Sequence, residues 1–406
     1  MSDRLSIGSA MTPDVKHIIV VGAGIGGLTA ALTLNRAGFR VTVLERTAAL
    51  SEVGAGIQLS PNASRILIDQ DLGAQLRSAA VYPDAIRIFS TRSGGEVTSL
   101  PLGAGFAARY GAPYMVIHRA DLQAALLAAV RQRGTIDLRL ATTIASIRDT
   151  GAAVELETEA GATLSADALI GADGVRSAIR TEVLDGAPAR YSGRMAFRAT
   201  LPIDCVPEAM RRVTCVWMSP KAHLVHYPIS GGERLNLIAV AEGAWRDEAW
   251  AYPVGHREMA EQIGATDADA WPAAARELLA GPQQWTKWAL AAVDPRFEWS
   301  RGRISLLGDA AHAMLPFAAQ GGAMAIEDAE VLASALLAER SVPAALKAYE
   351  AARKPRVAAV VDLAAANGRI YHFSARAATL RDTALKVLPA RVALARQDWI
   401  YAWRAA

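Results

Sequence analysis

Cysteine is almost absent from this 406-residue chain: there are two, Cys205 and Cys215, ten positions apart and in no CxxC pair. That excludes a dithiol redox centre and a cysteine-rich zinc site, and it suits a reducing compartment, so a cytoplasmic protein is expected. A dominant charge is lacking too. The 43 basic and 40 acidic residues leave a net charge of +3, too small and too evenly spread for a nucleic-acid surface. No HExxH or comparable ligand cluster occurs, so no metal is expected. Long apolar runs are missing as well. The stretch Ile18 to Leu34 is broken by Gly22, Gly24, Gly26 and Gly27 and is short for a bilayer span, so no membrane partner is expected. The segment Met1 to Asp14 is polar and lacks the apolar core of a signal peptide.

What the chain does have is ordinary globular composition, 52% hydrophobic and 20% charged. Its length exceeds what one hydrophobic core usually serves, which favours two interlocked lobes. His17 to Val21 (HIIVV) reads as a buried strand, Gly27 to Ala37 as an apolar helix ended by Gly38, and Arg40 to Glu45 as a second, alternating strand. Leu122 to Arg133 is helical with Asp121 at its start. From about Tyr191 to Ala241, short alternating runs between Pro and Gly predict an antiparallel sheet. A Trp-rich segment follows, then a strand at Arg303 to Leu307 and helices over Glu327 to Arg340 and Ala344 to Leu363. The chain thus leaves a dinucleotide-binding lobe, builds a β-rich one, and returns near residue 300.

The turn Gly22-Ala23-Gly24-Ile25-Gly26-Gly27 lies between that first strand and helix. A phosphate-binding turn needs a tight bend, then a residue without Cβ against the pyrophosphate, then close helix–strand packing; Gly22, Gly24 and Gly27 meet these needs in order. Glu45 ends the second strand eighteen residues after Gly27, where a carboxylate can accept both ribose hydroxyls. Later features point to a flavin. Asp309 follows a strand end, where it can hold a ribityl hydroxyl. Gly321-Gly322 open a helix whose free N–H groups can face a flavin carbonyl. Asp173, in GADGVRSAIR, forms a second acidic turn near the pyrophosphate, and Arg119 (IHRADL) stands at a helix start within reach of the cofactor.

These motifs together resemble the single-component FAD-dependent aromatic hydroxylases, typified by 4-hydroxybenzoate and salicylate hydroxylases. The resemblance rests on GAGIGG with Glu45-Arg46, on GADGVRSAIR and on LLGDAAHAMLPFAAQGG. It extends through GAGIQLSPNASRIL, HLVHYPISGG, YEAARKPRV and QDWIYAW, which are similar to the branch holding salicylate hydroxylase, 3-hydroxybenzoate 6-hydroxylase and 6-hydroxynicotinate 3-monooxygenase.

The resemblance implies an α/β fold: a Rossmann-like FAD-binding domain with an inserted β-sheet substrate domain and a C-terminal helical segment. The divisions expected are 15–85, 110–190 and 295–345 for FAD, 86–109 and 191–294 for substrate, and 346–406 for the helical region. It implies a cycle in which NADH or NADPH reduces FAD, O2 adds to give a C4a-hydroperoxide, and the distal oxygen attacks a small electron-rich aromatic ring. Only one GxGxxG is present, in keeping with transient nicotinamide binding. Members often form homodimers, with which the aromatic tail is compatible. A His-x-x-x-Tyr pair facing substrate maps onto His223 and Tyr227, with His223 as general base. Gln58 matches a position between flavin and substrate, and Pro316 and Phe317 match the loop flanking the ring. His226, on the opposite strand face, and His312 are expected to be structural. Arg353 and Arg356 read as a solvated helix face or interlobe pairs, and the tryptophans as packing. No arginine stands on the HLVHYP face to announce a carboxylate. Still open are a same-fold epoxidase or reductase with a non-aromatic substrate, accompanying decarboxylation, a non-oxygenase nucleotide-binding protein, and the choice of NADH or NADPH.

Overall fold

Strand His17–Val21 pairs in parallel with Arg40–Leu44 on one side and with Ala168–Gly171 on the other. The computed structural model in which these pairings are seen describes residues 16–50, 56–245, 249–266 and 270–405. The polar N-terminal segment, the first residue of the expected FAD-binding division, and Gly54 and Ala55 of GAGIQLSPN lie outside them.

The first sheet runs Ser300–Arg301, Ile304–Leu306, Ala168–Gly171, His17–Val21, Arg40–Leu44, Ile136–Arg139, parallel except at its first pair. Its strands come from three distant parts of the chain. Helix Ile25–Arg36 is buried from Gly27 through Leu34, because it is covered by helix Gly321–Ala338 as well as by the sheet. That double cover explains an apolar helix with little polar face. Gly38, at φ +96°, supplies the left-handed residue just past its end.

The second sheet has eight strands, in the order Ala251–Gly255, Gln284–Ala292, Arg190–Pro202, Arg234–Glu242, Ala222–Ile229, Val213–Ser219, Ala85–Ser90, Glu96–Pro101. Pairing is antiparallel except between Val213–Ser219 and Ala85–Ser90. One face buries Trp271, Trp285, Phe197 and Leu237 in a core of its own. The other turns toward the first lobe through Tyr227, Ile229 and Val240, with Tyr401 and Phe317 closing the seam. Among the described residues no helix is long and apolar enough to cross a membrane. Cys205 and Cys215 are both free.

Helix Gly321–Ala338 and the 30-residue helix Val342–Tyr371 are joined by buried charge. Asp328 accepts from Arg353 Nε (2.7 Å) and the Gly308 N–H (3.0 Å), and lies 2.6 Å from His312 Nε2. Burial pushes its carboxyl up, but His312 and Arg353 more than offset this and hold it at about 2. Glu327 accepts from Arg353 Nη1 (2.7 Å), Arg356 Nε (2.6 Å) and Asn62 Nδ2 (2.7 Å). Arg353 is 1% exposed, so the solvated-face reading of this helix is corrected: the RKPR segment holds the interior together. Both guanidinium groups also lie over Trp403, and Arg356 Nη1 donates to the Trp399 carbonyl (2.8 Å), which pins the QDWIYAW segment.

Breaking a fully buried ion pair by removing one partner leaves a charge without compensation. Arg353→Met is therefore expected to lower stability by about 3–5 kcal/mol, read from chemical denaturation. Arg257→Ala, which opens the exposed Arg257–Glu261 pair, should leave the midpoint unchanged. Equal midpoints for the two variants would show that the buried cluster contributes nothing.

Candidate active site

The glycine turn divides its work as its spacing suggests. Gly22 has φ +104°, and a Cβ there would stand 2.4 Å from the Ala172 carbonyl oxygen. A Cβ on Gly27 would stand 1.9 Å from the Gly22 carbonyl oxygen, and one on Gly26 would meet Leu307 at 2.9 Å. At Gly24 a Cβ would touch nothing within 4 Å, because that residue faces a cavity. Glu45 Oε2 accepts the Ala23 N–H (2.8 Å) and Oε1 the Thr47 N–H (2.9 Å), so strand end and turn are tied together. Gln123, which carries no motif of its own, donates to the Ala23 carbonyl at 3.0 Å from helix Arg119–Arg133.

Two cavities meet at Gly24, Ala172 and Gly174. The larger, about 580 Å³, is lined by Glu45, Arg46, Thr142 and Asp173. Asp173 Oδ2 accepts the Ile179 N–H (3.2 Å), whereas its buried Oδ1 has no partner, and burial raises the pKa of the carboxyl. The smaller, about 360 Å³, lies between the lobes and gathers Gln58, Arg119, His223, Tyr227, Asp309 and Pro316, with Gly321 and Gly322 at the far wall. A bipartite cleft, a glycine without a neighbour at its waist and an orphaned carboxylate oxygen are what an extended dinucleotide would fill. Gly24 would meet the pyrophosphate, Glu45 the ribose, and Asp309 with the start of helix Gly321–Ala338 the flavin end.

Asp309 is exposed into this space because Gly308 (φ +65°) turns the backbone out of strand Ile304–Leu306, and Asp328 fixes that turn through the Gly308 N–H. His312 is fully buried against the same Asp328, the supporting role expected of it. His226 is likewise buried, its Nε2 accepting from Trp217 Nε1 (3.1 Å). Phe317 is buried beside the cavity, edge-on to His223 and over Gly368, where a Cβ would collide at 2.6 Å.

His223 and Tyr227 share the face of strand Ala222–Ile229 that lines the smaller cavity. Tyr227 is 1% exposed and its ring fits only because Gly56 lacks a Cβ, which would stand 2.3 Å from Cε2. Burial pushes the Tyr227 phenol upward, so it is a neutral donor. Gln58 Oε1 accepts from the Tyr114 hydroxyl (2.5 Å), leaving its amide NH2 as the donor end. For His223, burial, His372 and Arg194 all lower the pKa well below the usual histidine range. The expected general base is thus a weak one: a proton acceptor works best with a pKa near the working pH.

Strand Ala222–Ile229 itself carries no arginine, as its sequence shows, but the same sheet face does. Arg198 lines the cavity from strand Arg190–Pro202, two strands over, since it pairs with Ile238, which pairs with Val225. Its guanidinium lies 5.4 Å from the centre of Trp288, one of the tryptophans read as packing. Alternation along a single strand could not reveal this, because the contribution arrives sideways through the ladder. Among the described residues no cluster fit for a metal ion occurs.

A model of the FAD binding domain matches residues 15–364 of the chain. The 3-hydroxybenzoate 6-hydroxylase of Polaromonas naphthalenivorans (strain CJ2) is 35% identical over 388 residues, covering 95% of this chain and 96% of the relative. The 6-hydroxynicotinate 3-monooxygenase of Bordetella bronchiseptica is 35% identical over 320 residues, 78% of this chain and 81% of the relative. Among solved structures, Klebsiella pneumoniae HpxO with FAD and uric acid superposes with a TM-score of 0.81 at 25% identity, covering 94% and 95% of the two chains. A salicylate hydroxylase substrate complex shares the fold, with a TM-score of 0.80 at 23% identity and 96% of each chain covered.

The glycines separate cofactor contact from packing. Gly24→Ala, at a φ of −72° that alanine tolerates, should leave thermal stability unchanged but weaken FAD retention about tenfold or more, measured by flavin release on gel filtration. Gly27→Ala should destabilise the fold itself. Full FAD retention by Gly24→Ala would place the pyrophosphate elsewhere.

Proposed function

The chain belongs to the FAD binding domain family, and from that membership and the cavity between its lobes we propose that it hydroxylates a small aromatic or N-heteroaromatic ring bearing a hydroxyl and a carboxylate. The observation that carries this reading is the meeting of His223, Tyr227, Gln58 and Arg198 around about 360 Å³, against the wall formed by Asp309, Gly321 and Gly322. FAD, when bound, supplies reduction by NADH or NADPH and the transfer of one oxygen atom from O2 to the ring.

The chain's own residues bind, orient and shield. Arg198 offers a planar pair of donors suited to a carboxylate. His223 and Tyr227 present polar atoms to the ring hydroxyl, and their separation along one strand sets the ring's direction. Val225, Ile238, Val240, Leu290 and Met314 supply apolar wall that displaces water from the reacting centre. Relatives named for 3-hydroxybenzoate, 3-amino-4-hydroxybenzoate and 6-hydroxynicotinate support a substrate that combines a ring hydroxyl with a carboxylate. The three-part division of the chain stated above is the organisation we propose for this activity.

The test is NADH and NADPH oxidation over salicylate, hydroxybenzoates and hydroxynicotinates under ¹⁸O2, with H2O2 measured in parallel. One labelled oxygen atom in the product is expected for at least one carboxylated ring. Product without label would overturn the reading. Arg198→Leu should raise KM for that acid by about 10–100-fold, the loss of a charge-assisted hydrogen bond, with kcat less affected. An unchanged KM would remove Arg198 from carboxylate binding.

A further inference from the structure

Behind the cavity-lining His223 lies a chain of polar groups that reaches away from the cavity. His223 Nδ1 is 2.8 Å from His372 Nε2. His372 Nδ1 is 2.6 Å from Arg194 Nη1, and Arg194 Nη2 is held 2.9 Å from Glu242 Oε1. The four come from separate elements. Arg194 and Glu242 face each other across paired strands, His223 stands on the next strand, and His372 caps the C-terminal end of helix Val342–Tyr371.

A guanidinium has donors only. Its contact with His372 therefore makes Nδ1 of that ring an acceptor. A neutral imidazole carries one N–H, so the proton of His372 stands on Nε2 and is donated to His223 Nδ1. His223 Nδ1 is then an acceptor in its turn, and the proton of His223 stands on Nε2, the nitrogen left for the cavity that it lines. Both rings are neutral. Burial, His372 and Arg194 lower the pKa of His223, while burial, Arg194 and Arg381 lower that of His372 to about 4. The other charged or titratable groups around the pair are Glu242, 3.8 Å from His372 Nδ1, and Tyr371, whose ring centre is 5.3 Å from that of His223. Tyr371 has a pKa pushed up by burial to about 12 and stays neutral.

We propose that Arg194 and His372 are positioning residues that lock His223 in the Nε2–H tautomer, so that His223 serves the bound ring as a hydrogen-bond donor to an oxyanion instead of accepting its proton. The proposal rests on the aromatic-hydroxylase reading for the identity of the oxyanion, a phenolate. The phenol then loses its proton to solvent on entering the site, and the N–H of His223 holds the resulting negative charge. The ring gains the nucleophilicity that a base would have given it, by a different route. One charge-assisted hydrogen bond should lower the apparent pKa of a bound phenol by about 1–2.

The tautomers can be read directly on the FAD-loaded protein. Long-range ¹H–¹⁵N correlation spectra of histidine-labelled enzyme, assigned with His223→Gln and His372→Gln, should show both rings protonated at Nε2. Arg194→Lys keeps an obligate donor and should keep the pattern. Arg194→Met, which keeps an unbranched side chain but removes the guanidinium that lies over Phe317, should release it, with protonated Nδ1 appearing on both rings. A wild-type His223 protonated at Nδ1 overturns the proposal whatever the variants do. This measurement needs no substrate, so its failure is distinct from failure of the hydroxylase reading, which the labelled-oxygen experiment decides. With 3-hydroxybenzoate as probe, ultraviolet difference spectra should show bound phenolate in wild type and Arg194→Lys at pH values where the free phenol is neutral, with Arg194→Met shifted toward the phenol. Bound neutral phenol in the wild type would overturn the donor role.

Discussion

Asp328 and Glu327, adjacent on one helix and fully buried, make the constraint around which this molecule is arranged. Two carboxylates in an apolar interior require compensation, and Arg353 and Arg356 provide it from the long helix that follows. The same carboxylates hold the Gly308 N–H, His312 and Asn62, which belong to the turn before Asp309, to the short helix Asp309–His312 and to the segment behind Gln58. Bringing the pairs together therefore sets the backbone on both walls of the smaller cavity. Packing alone would leave these walls free to slide. A network of charge-assisted hydrogen bonds with fixed directions does not.

The second sheet contributes by geometry of a different kind. Its inner face brings His223 and Tyr227 of one strand together with Arg194 and Arg198 of another, two strands over, although they are spread over more than thirty positions. Alternation puts Val225 between His223 and Tyr227, and the ladder puts Arg198 on the same face beyond Ile238. The long helix then returns His372 to the same place from a part of the chain 149 residues beyond His223. In the tautomer lock we propose, groups one and two contacts back govern which nitrogen of His223 carries a proton.

Much of the frame was legible in the sequence. The HIIVV strand, the GAGIGG turn and the strand ending at Glu45 need only local spacing, and Gly22 and Gly27 have the tight bend and the close packing expected of them. The placement of His223 and Tyr227 on one face follows from a period of two, and the burial of His226 on the other from the same rule. Sequence left Arg353 and Arg356 between a solvated helix face and interlobe pairs, because two arginines and a lysine in a short helical stretch look solvated until their partners on another helix are known. Gln123, Gly56, Arg198 and His372 carried no local signal, since each acts through a residue far away along the chain.

Sequence by itself determined the dinucleotide turn, the alternation of the β-rich region and the family, because these are encoded in residues close enough to constrain one another's backbone. Only the tertiary structure decided what lines the smaller cavity and how burial and neighbouring charge bias its protonation. Arg198 arrives through strand pairing, and the neutrality of His223 through burial and neighbouring guanidinium charge. A one-dimensional pattern records neither, since desolvation and hydrogen-bond direction exist only once distant segments have met.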